Sequence, residues 1–392
     1  MRSKKFLFYL LILTLFLTFN LLSCGGDDDG FIVVPEKSEL KVFVTSASGT
    51  GDLSTWADAG GKTGLEAGDA ICQAAADNTG LSGTFRAWLS TSTTDAYCHI
   101  QGLTGKKSDN CGEATLPTAA GPWFRMGDNH PFSDTIDKLI TQGQVFVPVY
   151  YDENNNKVTD YYFTGTQHSG ILSVNYNCTD WTSNSGSDNV SMGNPLGTTH
   201  RWTSLTTANC VGTRRLLCMQ TGSGKPLPAI TAPANAKKVF ITAVSYRGNF
   251  GGLDAADTIC QGRAHALGLP NHDKFKAWLS DGLGNDAIDR FSSDGPWYRL
   301  DGVKVADSKT DLTDGELFTS INYTGTSYIG DVVWTGTTVA GQYKSPSCAN
   351  WTSSAGTDNG IYGSSTLIDA SWTEWLGTWR CDFTAGLYCF ED

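Results

Sequence analysis

The chain has 392 residues, and 28 Lys and Arg against 40 Asp and Glu give it a formal net charge of −12. A chain with this net negative charge is a poor general ligand for nucleic acid or for anionic lipid. Binding of such polyanions would require a local basic patch. Its 12 Trp and 18 Phe supply enough bulky apolar mass for substantial cores.

The first 24 residues predict an exported protein. Basic residues stand at positions 2, 4 and 5, an almost unbroken apolar run extends from Phe6 to Leu22, and Leu-Leu-Ser precedes Cys24. This order resembles a bacterial lipoprotein signal, which implies that residues 1–23 are removed as a signal peptide and that Cys24 carries lipid. An ordinary signal peptide and a membrane helix are the alternatives, but the run is short for a span. We therefore expect a lipid anchor.

Two segments have the composition of linkers. Residues 24–40 combine Gly, three Asp and Pro35 with little periodicity, which is typical of a tether. Residues 221–237 contain Pro226, Pro228 and Pro233, which favour an extended, semi-rigid spacer. The remaining segments, 41–220 and 238–392, are each long enough for an independent core.

These two long segments repeat the same blocks in the same order. The first contains KVFVTS, GLEAGDAICQ, TFRAWLS, GPWFR, FTGT and CTDWTSNSGSDN, and then Cys210 and Cys218. The second contains KVFITA, GLDAADTICQ, KFKAWLS, GPWYR, WTGT and CANWTSSAGTDN, and then Cys381 and Cys389. Seven matching blocks indicate a duplication, so we predict two homologous domains, at 41–220 and 238–392.

Each copy predicts an α+β domain. It opens on a strand of alternating apolar residues, at 42–44 in the first copy and 239–241 in the second. A helix follows from Leu65 to Ala76, or from Leu253 to Leu267, and each helix stops before a Gly. The rest is short strands, namely FRAWLS, QVFVPVYY, YYFTGT, RRLLCMQ and their partners, between polar loops. We expect one main helix against an irregular antiparallel sheet.

Ten cysteines remain once Cys24 is set aside, and an even number behind an export signal predicts disulfide bonds. Zinc binding is the alternative, but no Cys-x-x-Cys pair occurs and the histidines follow no shared cysteine spacing. Only the first copy contains Cys98 and Cys111, so these two are predicted to pair with each other. Four further cysteines in each copy allow three connectivities, and their spacing does not choose among them. They are Cys72, Cys178, Cys210 and Cys218, and Cys260, Cys348, Cys381 and Cys389.

Several of these blocks together resemble a known family. They are GLSGTFRAWLS after a helix with Ala-Gly-Asp and Cys, an aromatic-Thr-Gly turn, Cys-x-x-Trp-Thr, and two closing cysteines. The set is similar to endostatin, a collagen domain with a C-type-lectin-like fold, and to the endostatin-like surface lipoproteins of leptospires, whose domain has no assigned function. The resemblance implies two tandem C-type-lectin-like domains, stapled by disulfides. The implied pairs are Cys72–Cys218, Cys178–Cys210, Cys260–Cys389 and Cys348–Cys381.

The sequence contains no HExxH and no GxSxG pattern, which are signatures of two hydrolase classes. Three pairs of acids are shared by the two copies, and we expect them to cap or bond locally. They are Glu66 with Asp254, Asp69 with Asp257, and Asp188 with Asp358. We therefore do not expect an enzyme.

The repeated WTSxxGxDN loop, 181–189 and 351–359, offers carboxylate and amide oxygens of the kind that bind calcium. We favour the simpler interpretation that its Gly and Asp-Asn residues form turns. Sugar-binding C-type lectins use Glu-Pro-Asn or Gln-Pro-Asp calcium loops, and neither tripeptide occurs here. The zinc-binding histidines of endostatin have no counterpart before Lys41 or Lys238. We expect no cofactor and no metal.

Two groups of residues are candidates for ligand binding. Basic residues recur at matching positions and predict either a patch for an acidic partner or internal salt bridges, with neither interpretation favoured. The segment SWTEWLGTWRC predicts either interface anchors or, as the favoured interpretation, core packing. The basic candidates are Arg86, Arg125, Lys276 and Arg299, and the aromatic candidates are Trp372, Trp375 and Trp379.

The functional expectation is a lipoprotein of the outer membrane or cell surface that works by binding and has no nucleic-acid partner. The resemblance implies host ligands, either extracellular-matrix proteins such as laminin and fibronectin or complement regulators such as factor H. A glycan-binding lectin-like role and a structural envelope role without a host ligand are the alternatives. We expect function to reside where the copies differ, at the Cys98–Cys111 insertion and the tryptophan-rich end of the second copy.

Overall fold

The computed structural model of the chain describes residues 39–322 and 331–392. The predicted signal peptide, Cys24 and residues 24–38 of the tether lie outside the described residues. Within the described ranges, no helix is long and apolar enough to cross a membrane. The described part is a mixed α/β structure with few helices, several sheets and five disulfide bonds.

Residues 40–220, the first half, form one sheet with short helices around it. The strands are β1 (Leu40–Val44), β2 (Phe85–Ala87), β3 (Trp123–Arg125), β4 (Pro131–Ser133), β5 (Tyr162–Phe163), β6 (Asn189–Gly193), β7 (Thr206–Asn209) and β8 (Arg215–Gln220). The helices are α1 (Gly64–Asn78), α2 (Ala96–His99) and α3 (Ile136–Thr141), with 3-10 turns at Leu53–Thr55, Ala57–Ala59 and Lys107–Gly112. The sheet order is β4-β3-β1-β8-β5-β6-β7, and β2 also pairs with β8.

Residues 237–391, the second half, contain nine described strands. They are β9 (Lys237–Ile241), β10 (Phe275–Ala277), β11 (Trp297–Arg299), β12 (Lys304–Ala306), β13 (Val332–Trp334), β14 (Asn359–Gly360), β15 (Tyr362–Ser364), β16 (Trp379–Arg380) and β17 (Tyr388–Glu391). The helices are α4 (Leu253–Ala266) and α5 (Lys309–Leu312), with 3-10 turns at His272–Lys274, Ala287–Arg290 and Ala370–Trp372. The largest sheet has the order β10-β17-β9-β11-β12, and β13-β15 and β14-β16 form two-stranded sheets.

Matching strands are paired in the same way in both halves. β1 lies parallel to β3 and antiparallel to β8, and β9 lies parallel to β11 and antiparallel to β17. The registers set Phe43 opposite Cys218 and Phe240 opposite Cys389. The expectation of an antiparallel sheet is wrong for β1-β3 and β9-β11, because the long segment after each opening strand forms a crossover and returns the chain in the same direction.

The main helix of each half packs small residues against the sheet. α1 contacts β2 and β8, and α4 contacts β10 and β17. A Cβ built on Gly68 of α1 would lie 2.9 Å from Leu89 and 3.2 Å from Ala87, so the helix and the sheet approach closely. The buried residues of α1 are Ala67, Gly68, Ile71, Cys72 and Ala76.

Both main helices end in the same glycine motif. Gly80 has φ +75° and Gly268 has φ +69°, a region that glycine adopts without a steric penalty. The next residue, Leu81 or Leu269, donates its N–H to a carbonyl five residues earlier and packs against the core. This is the Schellman arrangement, so the two glycines end the helices as the sequence predicts.

The segment QVFVPVYY, residues 144–151, is not a strand, so that prediction is wrong. Its residues are buried, but they run between the two halves rather than within a sheet. The carbonyl of Val145 accepts from the Arg299 guanidinium and that of Phe146 from Thr319 Oγ1, both in the second half. Side chains therefore satisfy part of this backbone, and single bonds to Phe132 of β4 and Val44 of β1 satisfy another part, without a continuous strand ladder.

Five disulfides fasten the described chain. Cys72–Cys218 and Cys260–Cys389 join each main helix to the last strand of its half, across sequence separations of 146 and 129. Cys178–Cys210 and Cys348–Cys381 close shorter loops, and Cys98–Cys111 closes the insertion of the first half. These are the pairs that the sequence and the resemblance imply. Cys72 and Cys260 are fully buried, in keeping with a core-facing position on the helix.

The halves meet at an interface with local two-fold symmetry. Gly197 pairs with Leu367 in an antiparallel bridge, flanked by Thr198 N–H to Thr366 O at 2.9 Å and Ile368 N–H to Leu196 O at 3.2 Å. The segments that follow Gly193 and Gly363 occupy equivalent positions in the two halves. Gly193 packs against the Trp202 carbonyl, and Gly363 packs in the same way against the Trp372 carbonyl. The same patch of each half thus contacts its copy, as in an isologous dimer.

Asp331 joins the halves electrostatically. Its Oδ2 lies 2.7 Å from Arg201 Nη2 and 3.3 Å from His200 Nε2, both in the first half. Burial acts to raise the pKa of Asp331, but hydrogen bonds and positive charge from His200 and Arg201 outweigh it and hold the pKa below its usual value of 3.8. The ionised carboxylate is therefore the form that the interface favours.

This lowered pKa predicts acid sensitivity. A carboxylate whose folded pKa is lowered stabilises the fold above its unfolded pKa, and the stabilisation is lost as the pH falls through the folded pKa. We expect the free energy of unfolding to decrease from about pH 4 downwards, measured by urea denaturation. Asp331→Asn should be less stable near neutral pH, yet lose less stability on acidification. Equal acid sensitivity of the variant and the natural protein would contradict this role.

Candidate binding surface

Two of the four basic candidates are buried in the protein core. Arg125 and Arg299 are 0% and 1% exposed, and their guanidinium groups lie 2.5 Å from Asp128 and 2.7 Å from Asp301. Burial acts to raise the pKa of Asp128, but hydrogen bonds from His130 and Arg125 outweigh it and hold the pKa well below its usual range. A binding patch at Arg125 and Arg299 does not fit the structure, since both cations are buried and paired.

The other two basic candidates are also engaged within the protein. Arg86 Nη1 donates to the carbonyl of His99 at 3.3 Å, beside the Cys98–Cys111 insertion. Lys276 Nζ donates to Asp392 Oδ2 at 2.7 Å and to the carbonyl of Arg290 at 2.6 Å. Both are partly exposed, but the structure gives each a local partner. Lys276 thus forms an internal salt bridge, whereas the described partners of Arg86 are the ring and the carbonyl of His99 and not an acid.

The shared helix acids bond locally where their partners are described. Asp69 Oδ1 accepts from the N–H of Ala87 at 3.1 Å, and Asp257 Oδ1 accepts from that of Ala277 at 2.8 Å. Each carboxylate also contacts a basic side chain, His99 at 2.8 Å or Arg290 at 2.7 Å. Each carboxylate thus ties its main helix to the strand that follows it, β2 or β10. Glu66 and Asp254, in contrast, are exposed in the first helical turns.

The WTSxxGxDN loops are built as turns. Asp188 Oδ2 accepts from Ser183 Oγ, and Asp358 Oδ2 from Ser353 Oγ, each at 2.5 Å. The same serine hydroxyls accept a backbone N–H two residues on, at 3.2 Å in the first loop and 3.1 Å in the second. In the described ranges, no group of three or more His, Cys, Asp or Glu side chains is placed to hold a metal ion. These serine–aspartate and serine–backbone bonds are those of turns, as the favoured interpretation of the sequence expects.

The Cys-x-x-Trp blocks adopt left-handed turns. All four residues of Cys178–Trp181 have φ between 50° and 67°, and those of Cys348–Trp351 have φ between 49° and 64°. Successive side chains in this region are unusual because each costs about 1–2 kcal/mol. The turns hold Trp181 and Trp351 in the core, where their Nε1 groups donate to the carbonyls of Ser90 and Ser280. The third residue, Asp180 or Asn350, then faces the loop after AWLS.

We expect Asp180→Ala to destabilise this turn and Asp180→Asn to preserve it. Asp180 Oδ1 accepts from Ser92 N–H at 2.7 Å, and Asn350 Oδ1 accepts from Gly282 N–H at 2.8 Å in the matching place. Alanine loses this bond and tolerates the left-handed region poorly, so its cost should be about 1–3 kcal/mol in urea denaturation. The second half supplies the control, since it uses Asn naturally. Equal losses for both variants would contradict the argument.

Trp372 is a core residue shared by both halves. It is fully buried and matches Trp202, which is 1% exposed. Trp278 Nε1 donates to Thr373 Oγ1 at 2.8 Å, and Trp88 Nε1 donates to Thr203 Oγ1 at the same distance. Of the two interpretations of Trp372, core packing therefore holds, and it is not an interface anchor.

Trp375 and Trp379 belong to a partly exposed row of rings. Trp375 stacks on Tyr362 with centroids 6.3 Å apart, Tyr362 lies 5.5 Å from Trp379, and Trp379 lies 5.2 Å from Phe383. We call these four residues the aromatic ladder. Its rings come from β15, β16 and the turns that flank β16, so the sheet pairing of β16 and β14 holds them in place.

Exposed apolar and cationic groups surround the aromatic ladder. Leu376 is 91% exposed and Phe383 is 43% exposed. The Arg201 guanidinium lies 5.2 Å from the Trp375 ring and that of Arg380 lies 4.8 Å from the Phe383 ring. Partly exposed tryptophans next to a fully exposed leucine are the composition of an interface anchor. The sequence singled out Trp375 and Trp379 but missed Tyr362 and Phe383, which only the fold brings to them.

The comparisons with known proteins say little about activity. Residues 243–368 match the family described as "Protein of unknown function (DUF1554)". No curated protein matches the chain. The match ends before Trp375, so most of the aromatic ladder lies outside it.

The first half lacks the aromatic ladder although it shares the scaffold. The positions that match Tyr362, Trp375, Trp379 and Phe383 hold Met192, Leu205, Ala208 and Gly212. The matching strands place Ala208 opposite Val190, just as Trp379 lies opposite Gly360. A Cβ built on Gly360 would lie 2.9 Å from Cys348 Sγ and from the Trp334 ring, so this glycine makes room for a core tryptophan and not for Trp379. A ligand of the ladder would therefore bind the second half.

A cleft of about 530 Å³ lies where Asp369 of the second half faces the first half. Ligand sites of this size are mainly apolar. This cleft is lined largely by polar and charged side chains, and its two arginines are engaged. Arg215 contacts Asp160 at 3.2 Å, and Arg214 donates to the carbonyl of Thr213 at 2.6 Å. We therefore place the candidate binding surface at the aromatic ladder rather than in the cleft.

Proposed function

We propose that this protein is an exported, lipid-anchored binding protein of the outer membrane or cell surface, without enzymatic activity. The aromatic ladder is the observation that carries the proposal. Among the described residues it combines large rings, partial exposure and absence from the other half. A buried row of rings would be core, but Leu376 and Phe383 leave this one open to solvent.

The scaffold supports the proposal indirectly. The shared features whose contacts are described above serve packing, turns or disulfides, including the buried arginines, the helix carboxylates at 69 and 257 and the loop aspartates. We infer that the two halves are tandem C-type-lectin-like domains. Their first and last long strands pair side by side, one main helix packs against them, and the disulfides follow the first-to-fourth and second-to-third pattern that the resemblance implies.

The resemblance supplies the proposed partners, namely laminin, fibronectin or factor H. Ala substitution of Trp375 and Trp379 together should weaken binding of residues 38–392 to the immobilised partner by about tenfold or more, because anchor rings dominate interface energies. Surface plasmon resonance measures the loss. Tyr176→Ala is the matched control, since Tyr176 is an exposed ring of the first half, 37% exposed.

If the natural protein binds the partner and the double variant binds it equally well, the proposed surface is wrong.

Protease treatment of intact cells tests the location. Digestion of the protein on intact cells is expected, and complete protection would place it on the periplasmic side and end the host-ligand proposal.

A further inference from the structure

We propose that Lys41 and Asn129 become joined by an intramolecular isopeptide bond, with Glu39 carrying the protons that the reaction moves. The bond is a covalent modification between two side chains of the first half. It goes beyond the proposed function and does not rest on it, since it involves none of the residues of the aromatic ladder.

The three side chains contact one another in pairs. Lys41 Nζ donates a hydrogen bond to Asn129 Oδ1, and Asn129 Nδ2 donates to Glu39 Oε2 at 2.8 Å. The same Glu39 oxygen lies 3.3 Å from Lys41 Nζ. The amine therefore contacts the carboxamide that it would attack. One carboxylate oxygen also contacts both the nitrogen that attacks and the nitrogen that leaves.

The fold holds these groups together. Lys41 lies in β1, in register with Phe124 of β3, and its Nζ lies 5.8 Å from the centre of the Phe124 ring. Asn129 lies in the turn between β3 and β4. The Lys41 and Glu39 side chains are 24% and 19% exposed, so water reaches the contact only in part. Such positioning replaces a collision between two reactants, and in well-oriented cases it is equivalent to a concentration of about 10⁵–10⁸ M.

The second half keeps the lysine but not its two partners. The matching pairs are Lys41 with Lys238, Glu39 with Ala236, and Asn129 with Gly302. Asn129 has φ +61° and Gly302 has φ +89°, so both turns need a residue that tolerates positive φ. Glycine meets that need without a side chain. The turn therefore accounts for the backbone of Asn129 but not for the contact of its carboxamide with Lys41.

The reaction exchanges one amide for another, so it needs neither an oxidant nor a reductant. Glu39 takes a proton from the Lys41 ammonium group, and the freed lone pair of Nζ attacks Asn129 Cγ. The Cγ–Nζ bond forms and the Cγ–Nδ2 bond breaks. Two of the three ammonium protons pass through Glu39 to Nδ2, which leaves as ammonium. Glu39 ends as the carboxylate that it was at the start.

The bond fastens the strand at which the predicted tether enters the protein. Residues 24–40, the predicted tether, lead directly into β1. Of the five disulfides among the described residues, none ends in β1 or in the turn between β3 and β4. A link across a sequence separation of 88 ties β1 to that turn. A pull on the tether then meets a covalent bond before it can peel β1 from its neighbours.

The test is peptide mapping by mass spectrometry of the full chain, purified in detergent, reduced and digested with trypsin. Trypsin does not cut after an acylated lysine, so the bond joins residues 38–62 to residues 126–138 in one product. The mass of this product should be lower than the sum of the two peptides by one ammonia, about 17 Da. Separate release of 38–41, 42–62 and 126–138 from the natural protein would overturn the proposal.

Variants make the assignment specific. Lys41→Arg and Asn129→Gly should abolish the joined product, and the glycine is the residue of the matching turn, so the fold should persist. Glu39→Gln should lower the yield at equal times after synthesis by about tenfold or more, because acid–base groups contribute factors of about 10²–10⁴. Lys238→Arg is the matched control and should change nothing. Undiminished yield in Glu39→Gln would contradict proton transfer by Glu39.

Electrophoresis under reducing, denaturing conditions gives a second readout. With the disulfides opened, the isopeptide bond still closes its loop, so the natural protein should migrate faster than the Lys41→Arg variant. The Lys238→Arg variant should migrate with the natural protein. Equal mobility of the natural protein and Lys41→Arg would count against the bond.

Discussion

Double replacement of Cys72 and Cys218 by Ala should lower the free energy of unfolding by about 5 kcal/mol. The bond closes a sequence separation of 146 residues and joins α1 to β8, so its loss releases nearly the whole first half in the unfolded chain. The chain-entropy argument makes the cost grow with loop length. A loss of this size is comparable with the whole stability of many domains, and we expect the variant to be largely unfolded at physiological temperature.

The insertion disulfide provides the matched control. Cys98–Cys111 has a sequence separation of 13, for which the same argument gives about 3 kcal/mol. All four sulfur atoms belong to residues that are at most 3% exposed, so the cavities left by Ala are similar and loop length is the main difference. Urea denaturation of the two double variants measures both losses. A larger loss for the Cys98–Cys111 variant would contradict loop closure as the source of stability.

Local signals in the sequence were sufficient for the two main helices and for the Cys98–Cys111 bond, whereas the other four pairs were implied only by the resemblance. Gly80 and Gly268 end the main helices because only glycine adopts the required positive φ freely. The pairing of Cys98 with Cys111 follows from their joint absence from the second copy. Such features depend on neighbours in sequence or on a simple count, and the fold does not alter them.

Features that depend on distant packing were misjudged or missed. Residues 144–151 have the apolar pattern of a strand, but they are buried between the halves: Val145 and Val149 pack in the core of the first half, and Tyr150 packs in that of the second. Trp372 looked specific to the second copy, because Trp278, the ring that packs against it, lies far from it in the sequence.

One shared contact is hidden by an exchange of residues. The Tyr162 hydroxyl of β5 donates to the Trp202 carbonyl, and the Tyr388 hydroxyl of β17 donates to the Trp372 carbonyl at 2.9 Å. The tyrosines stand on non-matching strands: Val333 holds the place of Tyr162, and Leu217 that of Tyr388. When the two copies are aligned residue by residue, the exchanges at Tyr162/Val333 and at Leu217/Tyr388 look like two unrelated differences. The fold shows that both satisfy the same buried acceptor, as a buried carbonyl requires.

Replacing Arg299 by Ala should destabilise the protein by about 3–5 kcal/mol. Arg299 is 1% exposed, and its guanidinium joins Asp301 at 2.7 Å, the Ser320 carbonyl at 3.2 Å and the Val145 carbonyl of the first half. Removal leaves the Asp301 carboxylate, only 11% exposed, without its partner. It also leaves carbonyls at the junction of the halves unsatisfied. The cost is therefore that of an uncompensated buried charge, together with a weakened interface.

Two further variants separate these causes. Arg380→Ala breaks an exposed pair with Asp382 at 2.6 Å, and surface pairs of this kind contribute at most about 1 kcal/mol. Adding Asp301→Leu to an Arg299→Met variant removes both buried charges and should recover much of the stability that Arg299→Met alone loses. Thermal and urea denaturation of all variants give the comparison. If the paired replacement is no better than the single one, the carbonyls at the interface, rather than Asp301, are what the arginine is needed to satisfy.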